Sequence, residues 1–200
     1  MEHIINPLYK KKESIEKLQK AWNAKEIFPH LLLTKVFPQG IYKQKEKELH
    51  KLFFKRESRP DRYSYAIAKA SSLHIFDNKE LQEFISVIIG KKVKNILGDA
   101  LYFSWKDYTL LSKEQERNTI DVIFDFTPDW KEEYGGSLIY KDEKGKYVKF
   151  MGLPNTMILI ERKNAQSYIQ YVNNFAKGKK RYLLMGETNM KTLNFLVHER

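Results

Sequence analysis

The chain has 200 residues, 42% hydrophobic and 14% aromatic, with no cysteine and a net charge of +11 from 36 basic and 25 acidic side chains. That length and composition suit one globular domain with a sizeable core and exclude a disordered chain. The absence of cysteine excludes disulfides, thiolate metal sites and a cysteine nucleophile, and no apolar run approaches the ~20 residues of a membrane span.

The first residues, MEHIINPLYKKKESIEK, carry no apolar stretch of a secretory signal, so a cytoplasmic protein is expected. Pro7 suits a first helical turn, and Leu8, Ile15, Leu18 and Trp22 then share one face. Pro29 breaks that pattern, and His30–Thr34 reads as a first buried strand. Pro38 suits the start of a second helix, whose stripe of Ile41, Tyr42, Leu49, Leu52 and Phe53 runs to about Phe54. Arg56 to Arg62 reads as a polar loop and Tyr63 to Ile67 as a strand. Asp77 or Asn78 caps a third helix with Leu81, Phe84, Ile85 and Ile88 on one face, and Gly90 ends it.

From Gly98 onward short strands dominate. Candidates are 101–105, 108–111, 119–127, 137–141, 146–150, 156–161, 168–172, 181–186 and 192–197, and turn residues separate most of them. Helices first and strands after predict an α+β fold, a single domain over 1–200 with a helix-rich part (1–97) and a β core (98–200). Alternation in Asp121–Thr127 predicts a half-buried strand with Asp121, Ile123 and Asp125 on one face. Those two acids read as partners for buried Lys or Arg, because a buried carboxylate needs a counter-charge. Tyr102, Trp105, Tyr108 and Trp130 read as core aromatics before they read as a cleft. The lysines lie in runs mixed with acids, which read as solvated faces.

Several segments, in order, resemble the prolyl-hydroxylase-like branch of the iron(II)/2-oxoglutarate oxygenases. These are Phe28-Pro29-His30-Leu31-Leu32, the helix ending at Gly90, Asp107-Tyr108-Thr109-Leu110-Leu111, Phe124 to Trp130 with Gly135-Gly136-Ser137-Leu138, and Lys180-Arg181-Tyr182. The resemblance covers roughly residues 28–186 and implies a double-stranded β-helix, a jelly-roll form, with the N-terminal helices packed on one side. It implies iron(II) held by two histidines and a carboxylate, with 2-oxoglutarate gripped by an arginine. In this sequence the three metal-ligand positions read Ser112, Glu114 and Ser167, and no histidine lies between residues 101 and 186. An oxygen-only set of Glu114 with Asp107, Asp121 or Asp125 would suit magnesium, calcium or manganese better than redox iron. At the cosubstrate positions, Arg181 matches the gripping arginine, and Asp125 stands where the family often has a tyrosine. The expectation is that Asp125 and Arg181 pair with each other in place of the ligand.

Three functions follow as expectations. The first is a non-catalytic binding or regulatory homologue without a cofactor, with a protein partner such as a second copy of the chain or an active homologue. The second is a hydroxylase of a protein side chain or small molecule, using iron(II) and 2-oxoglutarate through an altered ligand set around Glu114. The third is a nucleic-acid-binding module, supported by charge alone. No membrane association is expected.

Overall fold

The computed structural model describes residues 3–25, 27–111, 119–162 and 165–189. A 3-10 turn, Pro7–Lys10, precedes helix α1 (Lys12–Asn23). That break leaves Leu8 62% exposed, while Trp22 is buried. Helix α2 (Gln39–His50) stops before the predicted end, so Phe53 is 91% exposed. Helix α3 (Lys79–Ile89) is fixed at both ends. The Asn78 side chain accepts from Leu81 N at 3.2 Å, and Gly90 takes a left-handed φ of 68°. Between these caps Leu81, Phe84, Ile85 and Ile88 are buried.

The large sheet has eight strands, all antiparallel to their neighbours. They are β1 (His30–Thr34), β2 (Lys55–Arg59), β3 (Tyr63–Lys69), β4 (Leu97–Phe103), β5 (Tyr108–Thr109), β6 (Thr119–Asp125), β9 (Thr156–Glu161) and β11 (Arg181–Asn189). The order is β1-β9-β6-β11-β4-β3-β2, with β5 also on β3. The small sheet is β10-β7-β8, from β7 (Leu138–Lys141), β8 (Tyr147–Phe150) and β10 (Gln166–Ile169). It faces the large sheet, and β5 reaches it where Ile169 N donates to Thr109 Oγ1 at 2.7 Å. This is the α+β, double-stranded β-helix fold that the resemblance implies, with the helices on the outer face of the large sheet.

Two cores follow from that layering. Val122, Phe124, Leu159 and Leu184 pack outward against Phe37, Tyr42, Ile85 and Ile88 under the helices. Ile123, Ile158, Ile160 and Leu183 pack inward against Leu138, Tyr140, Phe150 and Ile169 of the small sheet. β6 is therefore buried at every residue and not half-buried as its alternation predicts. Alternation there separates two covered faces, one inside the barrel and one under the helices.

A second correction concerns Arg56–Arg62, predicted as a loop. Its first part is strand β2, joined to β3 by a tight turn in which Arg62 N donates to Arg59 O at 2.8 Å. β2 is an edge strand with mostly exposed side chains, so no apolar period marks it. The helix-rich part thus also contributes β1, β2 and β3 to the large sheet. The candidate strand at 192–197 lies outside the described residues.

Candidate functional site

The barrel interior is where the inward face of β6 meets β11 and the small sheet. At one end, β4 finishes where β11 begins, with Arg181 in register with Phe103. Arg181 has no exposed side-chain surface and Asp125 only 1%. Arg181 Nη2 and Nε lie 2.9 and 3.2 Å from Asp125 Oδ2, and Nη1 donates to Gly136 O. Thr127 N donates to the other carboxylate oxygen, Oδ1, at 2.9 Å. Burial pushes the Asp125 carboxyl up from its ordinary value, and the Arg181 guanidinium opposes that push. The Gly136 carbonyl is available because Gly135 and Gly136 both take left-handed φ, 71° and 69°. Trp130 fixes this turn: its Nε1 donates to Gly135 O at 2.9 Å, and its ring lies over Gly136 and Gly152.

At the other end of β6, Asp121 Oδ2 receives the Tyr140 hydroxyl at 2.5 Å and Arg162 Nε and Nη2 at 2.9 and 2.8 Å. Asp121 Oδ1 is buried with no hydrogen-bond partner. A cavity of about 390 Å³ opens beside Asp121 and Arg162 and is also lined by Leu101, Ile123 and Met185. Ser167, the one predicted metal position inside the described residues, sits on β10 in register with Tyr140. Ser112 and Glu114 lie outside the described residues.

Asp107 is the third buried aspartate. Arg56 Nη1 and Nη2 reach its two oxygens at 2.7 and 2.5 Å, and Ser64 Oγ, Ser104 N and Ser104 Oγ complete its shell. Burial pushes this carboxyl up, but the hydrogen bonds outweigh it and hold the group below its usual range. Asp107, Asp121 and Asp125 thus each face their own arginine. Tyr140 and Arg162 are the residues that sequence reasoning missed. Their only signal was the need of Asp121 for a counter-charge.

The metal and cosubstrate of the family can be tested against these residues. A dicarboxylate brought to Arg181 would meet the Asp125 carboxylate where neither side chain reaches the surface, and like charges there repel. Each guanidinium nitrogen already has a protein acceptor, Asp125 Oδ2 for Nε and Nη2 and Gly136 O for Nη1. For iron, the interior between residues 101 and 186 supplies no imidazole. Of the four described histidines, His3 and His74 pair with Glu80 and Asp77, His30 Nδ1 bonds Phe28 O, and His50 packs on Tyr182. Among the described residues no group of three or more metal-ligating side chains is assembled. The described residues do not fit iron(II) and 2-oxoglutarate as that family holds them.

No family model and no curated protein matches the chain. Solved structures do. A prolyl-4-hydroxylase from Pseudomonas putida superposes with a TM-score of 0.68 at 10% identity, covering 87% of this chain and 99% of that one. An oxidoreductase of the 2OG-Fe(II) oxygenase family from Burkholderia pseudomallei gives a TM-score of 0.70 at 8% identity, covering 89% and 92%. HygX from Streptomyces hygroscopicus, solved with nickel, 2-oxoglutarate and hygromycin B bound, gives 0.64 at 9% identity, covering 85% and 86%. The chain has the fold of the iron(II)/2-oxoglutarate oxygenases, in its prolyl-hydroxylase-like form.

Proposed function

We propose that this chain is a non-catalytic binding or regulatory protein built on the oxygenase scaffold. The observation that carries the reading is the Asp125–Arg181 pair, closed on itself and on Gly136 O inside the barrel. In the family that the chain resembles, the arginine at this place grips the cosubstrate. Here its three nitrogens have protein acceptors, and removing either partner would leave a buried charge. The second support is the set of ligand positions, where Ser112 and Ser167 replace imidazoles; a neutral hydroxyl is a poor donor to iron(II).

Isothermal titration of the full chain with 2-oxoglutarate, alone and with manganese(II) as an oxygen-stable surrogate for iron, tests the reading. Absence of saturable heat at millimolar ligand is the expected result. Stoichiometric, micromolar binding of both would overturn it and favour an altered ligand set around Glu114.

A further inference from the structure

The end of the barrel that holds Arg181 carries, on its outside, a surface that the interior chemistry does not use. The turn after β4 and the segment leading into β11 meet there, with Lys106 N donating to Val172 O at 2.9 Å. Two cations lie near the Trp105 ring, with Lys106 Nζ 4.5 Å and Lys177 Nζ 5.5 Å from its centre. Lys180 Nζ lies 4.4 Å from the centre of the Tyr102 ring. Trp105, Tyr171 and Phe175 are 37%, 49% and 69% exposed, and Tyr171 lies 6.3 Å from Tyr108, ring centre to ring centre.

The charge here is not balanced. Nearby carboxylates are engaged elsewhere: Asp107 by Arg56, Glu132 by Lys149 and Glu133 by Lys131. Lys106, Lys177, Lys179 and Lys180 form no ion pair among the described residues, and all four are exposed. Exposed π faces interleaved with unpaired ammonium groups match what a flexible strand of bases and phosphates presents. A purely acidic peptide would satisfy the lysines but offers no aromatic partner to Phe175 or Trp105. A duplex would offer phosphates but keeps its bases stacked on one another.

We propose that this surface binds single-stranded nucleic acid without strong sequence preference, stacking bases on Trp105, Tyr171 and Phe175 and neutralising phosphates with Lys106, Lys177, Lys179 and Lys180. The surface lies outside the barrel interior, so this assignment stands or falls independently of the non-catalytic reading.

Fluorescence anisotropy of the full chain with labelled 15-nucleotide oligo(dT) and oligo(rU), at 50 to 200 mM sodium chloride, tests it. The expected dissociation constant is on the order of 1–100 µM, with a log–log salt slope of about −2 to −3 for four lysines. Trp105→Ala and Phe175→Ala should each weaken binding about fivefold or more. Lys177→Ser with Lys180→Ser should flatten the salt slope. Phe175 is the safer variant because so little of it is buried, and circular dichroism checks that each variant folds. Three results would overturn the proposal: no binding at 50 mM salt, aromatic variants that bind like the parent, or equal affinity for a DNA duplex, poly-glutamate or phosphatidylserine vesicles.

Discussion

Replacing Asp125 by alanine isolates the buried pair at the Arg181 end of the barrel. The substitution removes the acceptor of Arg181 Nε and Nη2 and leaves a guanidinium without exposed surface bound to one carbonyl, Gly136 O. Removing one partner of a buried ion pair costs about 3–5 kcal/mol. For a chain of this size each kcal/mol moves the midpoint by roughly 2–4 °C, so Tm should fall by about 6–20 °C. Urea unfolding followed by far-UV circular dichroism gives the free energy, and a thermal scan gives the midpoint. Arg181→Leu added to Asp125→Ala should recover part of the loss, because the uncompensated charge is then gone. The vacated carboxylate site also makes a sharper demand. Millimolar succinate or 2-oxoglutarate should raise the Tm of Asp125→Ala and leave that of the parent unchanged, since a ligand stabilises only a state that binds it. A cost below about 1 kcal/mol, or a parent protein stabilised by 2-oxoglutarate as much as the variant, would refute the reasoning.

Gly152→Ala should destabilise by about 1–3 kcal/mol in chemical unfolding, since the new Cβ would stand 2.7 Å from Trp130 Cβ. Asn78→Ala removes the hydrogen bond to Leu81 N and should cost about 1 kcal/mol in the same assay. The folded carboxyl of Asp107 lies below its ordinary value of 3.8, so its contribution is complete above about pH 4 and is lost as pH falls through the folded value. Asp107→Asn should therefore flatten the acid limb of a stability–pH curve below pH 4, besides lowering stability at neutral pH by roughly 2 kcal/mol.

Elements whose local chemistry and burial agree were legible in the sequence. Helix α3 was readable at both ends because its cap, its apolar face and its terminal glycine all point the same way. β9 was readable because both its bounds and its apolar run are local. β4 begins at Leu97, four residues earlier than predicted, because Gly98 reads as a break. In the fold that glycine makes room for the Phe76 ring, which a Cβ would meet at 2.5 Å. β2 was illegible for a different reason. Its pattern is polar on both sides, and Arg56 is committed to Asp107, 51 residues away. The site divides in the same manner. The pairing of Asp125 with Arg181 follows from a charge standing where the resemblance expects a phenol. The Asp121–Tyr140–Arg162 cluster depends on which residues of β7 and the end of β9 reach into the barrel, and that register is set by the whole double sheet.

The position of β11 has a consequence for how the chain acquires this structure. It is the last described strand in sequence, yet it lies between β4 and β6 in the large sheet, paired to both along seven residues each. During synthesis from the N-terminus, β4 and β6 are made first and stay apart until residues 181–189 emerge. Each keeps an unpaired edge for that interval, the kind of edge that recruits other chains. Contacts of this sequence separation also slow the search for the native state. Asp125 waits through the same interval with water as its partner, and its desolvation is deferred until Arg181 arrives. Closing the sheet and neutralising Asp125 are therefore one late event, and a chain truncated before Arg181 should aggregate without passing through a stable smaller barrel.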